Sequence, residues 1–140
     1  MRLKDSSEVF SYSLLIRERQ LDSLGHVHNL NYLEMFEEAW WEFVTANGGG
    51  YKLIEETKTA PVILDINVKF IREVRNREKV RITTRCYDYK MVLGKIEQIM
   101  YNEKNEETCK AQYSVALFDL VQRTLIVPPP AWTKAFGLGG

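Results

Sequence analysis

The chain of 140 residues carries 19 Lys plus Arg against 19 Asp plus Glu, a formal net charge of zero. That length suits one domain with a real core and falls short of two ordinary ones, so a single domain over residues 1–140 is expected. The charge balance leaves no summed field drawing the surface to nucleic acid or an anionic membrane, which makes a small molecule or another protein the expected partner.

The first stretch, MRLKDSSEVFSYSLLIRERQ, has no long apolar run ending in a small-residue cleavage site. Nowhere do roughly eighteen apolar residues run together, so neither an export signal nor a membrane span is expected. Alternation from Val9 to Glu18 predicts a strand. LDSLGHVHNLNY, Leu21 to Tyr32, interrupts it, and from about Leu30 to Ala46 the period becomes helical. At about 100° per residue, Tyr32, Leu33, Phe36, Ala39, Trp40, Phe43 and Val44 share one broad face, with Glu34, Glu37, Glu38 and Glu42 opposite. Gly48, Gly49 and Gly50 end the helix, because glycine takes the left-handed conformation that a helix stop requires.

A variable piece from Lys52 to Ala60 precedes a series of predicted strands: residues 62–71, Lys79 to Tyr89, Gly94 to Asn102, Thr108 to Asp119 and Arg123 to Val127. In the second of these, Val80, Ile82, Thr84 and Cys86 fall on one face. Pro128, Pro129 and Pro130 stop the sheet, since proline gives no ladder donor, and the tail from about residue 131 is expected to be loosely held. Cys86 and Cys109 lie in alternating apolar stretches without C-x-x-C spacing, which suits reduced, buried thiols and points to the cytoplasm. One helix followed by a meander of strands implies an α+β fold: an antiparallel sheet of about five to six strands with the helix on one face. The uncovered face and edges make self-association expected.

The polar cluster in LDSLGHVHNLNY is where chemistry would sit. His26 and His28 are the chain's only histidines, and a catalytic metal generally needs three protein ligands, so a metal site is not expected. Ser23 lacks a Gly-x-Ser-x-Gly elbow, and both cysteines look like strand residues, which leaves no nucleophile for a histidine base. Asp22 stands where strand periodicity ends, seven residues before the first predicted helical turn, and Gly25 allows a tight reversal between them. A carboxylate beside the unpaired N–H groups of a helix N-terminus suits acyl transfer: the acid attacks or activates water, and the N–H groups bind the oxyanion, worth about 3 kcal/mol per donor. By position alone, capping is the commoner role for such an aspartate.

The run from Asp22 to Tyr32, followed by Phe36-Glu37-Glu38-Ala39, resembles the D-x-x-G-H-V-x-N-x-x-Y…F-E-E-A signature of the hot-dog-fold acyl-CoA thioesterases related to 4-hydroxybenzoyl-CoA thioesterase. The likeness continues through the strand order and a late Leu117-Phe118-Asp119…Arg123…Val127-Pro128 pattern. It implies a sheet wrapped around one long central helix, dimers whose sheets join edge to edge, frequent tetramers, active sites shared between subunits, and no metal or organic cofactor. It further implies that Asp22 is the catalytic carboxylate, as nucleophile or general base, and that the Asn29 N–H polarises the thioester carbonyl. Gln20 departs from the pattern, standing where many relatives carry a second acid.

Other residues carry a bland and a functional reading. Glu34, Glu38 and Glu42 look like a solvated stripe, while Trp41 among them suggests a subunit interface or a substrate channel. Arg72, Arg75, Arg77, Lys79 and Arg81 look mostly like solvated charge, with Arg72 and Lys90 as candidates for the coenzyme A phosphates. His28 and Tyr32 flank the helix start and would shape the acyl pocket. The expected activity is hydrolysis of an acyl-CoA thioester to a free acid and thiol. The alternatives are an acyl-carrier-protein thioesterase and a non-catalytic acyl-CoA-binding oligomer, and the assembly expected is a homodimer or homotetramer. A hot-dog dehydratase would leave Asp22 without a role.

Overall fold

The computed structural model describes residues 9–138. The alternating stretches form β1 (Phe10–Leu15), β2 (Thr59–Phe70), β3 (Lys79–Lys90), β4 (Leu93–Tyr101), β5 (Glu107–Asp119) and β6 (Thr124–Ile126). They build a six-stranded sheet in the order β1-β3-β4-β5-β2, with β6 paired to β5, and every pairing is antiparallel. Period-2 patterning sets its faces. Val80, Ile82, Thr84 and Cys86 of β3 are buried together with Ile96, Gln98 and Met100 of β4 and with Cys109, Ala111, Tyr113 and Val115 of β5.

Against that inner face lies α1 (Asn29–Ala46), 18 residues long. Its buried residues are Tyr32, Met35, Phe36, Ala39, Phe43 and Val44, while Glu34, Glu37, Glu38 and Glu42 are exposed as the period requires. The helix stops where Gly48 takes φ +88° and the Gly49 N–H donates back to Val44 O at 2.7 Å, the double-back typical of a glycine-terminated helix. The curled antiparallel sheet packed on α1 is the hot-dog arrangement that the sequence resemblance implies. Among the described residues no helix is long and apolar enough to cross a membrane.

Three expectations are corrected. The first strand ends at Leu15, and Glu18–Gln20 turn as a 3-10 helix, because the Gln20 side chain accepts the Arg17 N–H at 2.7 Å and closes the turn locally. Most of the piece from Lys52 to Ala60 is α2 (Tyr51–Thr57), too short to show a helical period. The tail is not loosely held where it is described: α3 (Pro130–Ala135) follows the prolines, and Trp132, Ala135, Phe136 and Leu138 join the core. Pro130 can begin a helix because the first helical N–H has no partner to lose. Residues 139 and 140 of that tail lie outside the described residues.

Candidate active site

The site grows from a loop whose backbone is closed before any side chain acts. Asp22 N–H donates to His26 O at 2.8 Å, Gly25 N–H donates to Asp22 O at 3.1 Å, and Gly25 sits at φ +81°, a conformation that side chains rarely adopt. The His28 N–H donates to Gln20 O at 2.9 Å and returns the chain to the 3-10 turn. Gln20, the departure from the thioesterase pattern, is a buried amide spent on closing that turn.

Asp22 fills the turn role and keeps part of its carboxylate free. Its Oδ1 accepts the N–H groups of Leu24 at 2.8 Å and His26 at 3.4 Å. Its Oδ2 has no hydrogen-bond partner among the described residues, and Asp22 is half-buried in the wall of a pocket shared with Asn29, Tyr32, Phe70 and Arg72. His28 caps α1 in extended conformation with no side-chain bond to the helix; the Asn31 N–H donates to His28 O at 2.9 Å, and the Asn29 N–H has no hydrogen-bond partner among the described residues. Asp22 and Asn29, the first residue of α1, thus line one cavity.

The other candidates divide. Tyr32 is buried, its ring edge meets Phe70 at 5.4 Å between centroids, and burial pushes its hydroxyl up to about 12. Arg72 lines the pocket and pairs with the Glu106 carboxylate at 3.6 Å. His28 is exposed and is not among the residues lining this cavity. Lys90 is not brought to Asp22 within one chain. It ends β3 at the hairpin with Leu93, whereas the pocket wall leads into the Lys79 end, and 12 extended residues span roughly 36–40 Å.

A separate groove lies between α1 and β2. Leu33, Glu37 and Trp40 face Ile66 and Ile63 across it, in a cavity of about 120 Å³. Glu38 accepts the Tyr12 hydroxyl at 2.7 Å, and Trp41 is 37% exposed outside both cavities. Cys86 and Cys109 are buried thiols outside any disulfide, and among the described residues no three potential ligands gather to hold a metal ion. Sequence reasoning missed Phe70 and Glu73, which sit in the pocket wall: each reads as one more residue of a strand or charged loop.

A model of the thioesterase-like superfamily matches residues 16–137. Comparison with curated proteins finds no match. A hypothetical protein from Staphylococcus aureus, solved in complex with CoA, superposes with a TM-score of 0.87 at 15% identity, covering 93% of this chain and 82% of that one. A DHNA-CoA thioesterase from the same organism gives 0.81 at 20% identity, covering 92% and 89%. A 1,4-dihydroxy-2-naphthoyl-CoA thioesterase from Synechocystis gives 0.84 at 15%, covering 93% and 96%. At these identities the likeness is one of fold.

Proposed function

The chain belongs to the thioesterase-like superfamily, and from that premise we propose that it hydrolyses an acyl-CoA thioester with Asp22 as the catalytic carboxylate and the Asn29 N–H as oxyanion donor. The observation that carries this reading is the free Asp22 Oδ2 beside the uncapped start of α1, in one pocket. Asp22 either takes a proton from water, whose oxygen adds to the carbonyl carbon, or adds to that carbon itself to form an anhydride that water then opens. On both routes the carbonyl oxygen gains negative charge at the helix N-terminus, where the N–H dipoles stabilise it, and collapse breaks the C–S bond. The products are a free acid and the coenzyme A thiol.

The α1/β2 groove would take the acyl group, since its walls are mainly apolar. Arg72, which lines the pocket, would take a coenzyme A phosphate. Lys90 reaches a site only from a second copy, which the edge strand β2 could dock: Ile63 is 54% and Phe70 51% exposed along it. We therefore assign a homo-oligomer with the site completed across the β2 edge.

The test is thiol release from short, long and aromatic acyl-CoAs, with matching carrier-protein thioesters alongside. Asp22→Asn keeps the shape and removes the charge, and should lower kcat about 10²–10⁴-fold while circular dichroism and oligomeric mass stay unchanged. Full turnover by that variant on the best substrate would sink the assignment. Binding that raises Tm with no thiol released by the wild type would identify a non-catalytic acyl-CoA binder.

A further inference from the structure

The Asp22 loop is hung on the connection between β2 and β3 at two charged points. At its start, Glu18 holds Arg77 through both carboxylate oxygens, at 2.7 and 2.8 Å. At its end, His26 Nε2 lies 2.9 Å from Glu73 Oε2, while Glu73 Oε1 accepts Arg75 Nη2 at 2.7 Å. Between these points the main chain adds a bond from Val27 N–H to Val74 O at 3.0 Å.

His26 therefore has two jobs in one residue. Its backbone brackets Asp22, giving an N–H to Oδ1 at 3.4 Å and taking the Asp22 N–H on its carbonyl at 2.8 Å. Its ring is tied to a carboxylate of another loop. Glu73 is itself anchored by Arg75, and that guanidinium holds its carboxyl below the usual range, so the anchor stays charged. Asp22 Oδ2 has no tether of its own, so its direction depends on how firmly this loop is held.

We propose that His26 is a positioning residue: its ring, clamped by Glu73, fixes the loop that aims the Asp22 carboxylate into the pocket. This rests on the reading of Asp22 as the catalytic group. His26 touches no reacting atom in this scheme; the clamp acts through geometry, where a displacement of about 1 Å can cost about a hundredfold in rate.

The experiment is a double-mutant cycle on the intact protein with the best acyl-CoA substrate. His26→Ala and Glu73→Ala should each lower kcat about ten- to a hundredfold with KM changed less than about twofold, and the double variant should be no slower than the worse single one. His26→Gln, whose amide N–H can still reach Glu73, should recover most of the rate. Amide hydrogen exchange supplies a readout independent of turnover: the Leu24 and His26 amides that bond Asp22 should exchange faster in His26→Ala, with β4 and β5 amides unchanged. Unchanged kcat in His26→Ala, losses that multiply in the double variant, or a change confined to KM would each overturn the clamp. A loss that Gln does not rescue and that Glu73→Ala does not share would mark His26 as a direct proton carrier, and overturns it too. If Asp22→Asn keeps full turnover, the catalytic reading fails by itself, and the exchange data still decide whether His26 and Glu73 hold the loop.

Discussion

Gln98 is a polar side chain only 1% exposed in an apolar interior, and it spends its amide well. The Nε2 group donates to Phe36 O of α1 at 2.8 Å and to Thr84 Oγ1 of β3 at 2.9 Å, pinning the helix to the sheet. Gln98→Leu should therefore lower the unfolding free energy by about 1–3 kcal/mol in urea titration, despite its greater hydrophobicity. Gly94→Ala should cost a similar amount, about 1–3 kcal/mol, because a Cβ there would meet the buried Tyr89 ring at 2.5 Å. At this scale the sequence marks Asp22, Gly25 and Asn29 through spacing and resemblance. It does not mark Gln98, whose partners come from two other elements, nor Glu73, whose side chain meets His26 only after two loops fold together.

Elements with a long period are legible, and those that owe their existence to a neighbour are not. The helical stripe through Tyr32, Phe36, Ala39 and Phe43 announces α1 because 18 residues repeat it over five turns. In α3 there are 6 residues, and one of them, Trp132, decides the element by packing. Its indole N–H donates to Thr59 Oγ1 at 2.8 Å, and its ring lies 5.8 Å from Phe136, which in turn stacks on Tyr89. Trp132→Ala should lower the unfolding free energy by about 3–5 kcal/mol, read as a fall in the denaturant midpoint, and should detach α3 from β2. An unchanged midpoint would show that α3 contributes little to the core.

For the whole molecule, two properties follow from burial and from edges. Burial raises Cys109 from its ordinary 9.0 to about 12 and Tyr32 from 10.0 to about 12. It pushes Tyr89 and Tyr113 upward as well. The folded state keeps protons that the unfolded chain releases, so this stabilisation is complete below pH 9 and is lost as pH climbs towards 12. Urea midpoints should fall steadily across that window, and Cys109→Ala should flatten the onset; a midpoint independent of pH there would contradict the sign. The edge strand β2 makes the second prediction. Ile66→Lys places a charge on a 43% exposed apolar position, and should reduce the mass seen by ultracentrifugation to one chain. A full-sized assembly in that variant would place the interface elsewhere.

The sequence by itself determined the α+β class, the succession of helix and strands along the chain and the face of α1 that is buried, because these follow from periods of 2 and 3.6 that every residue of an element repeats. It also singled out Asp22 by a motif contained in one loop. Only the tertiary structure decided that the tail folds back through Trp132, that the Gln20 amide closes the turn before Asp22, and that Lys90 stands about a strand's length from Asp22. Those facts depend on contacts between residues far apart in the chain, where local pattern carries no information and the geometry of packing alone sets who meets whom.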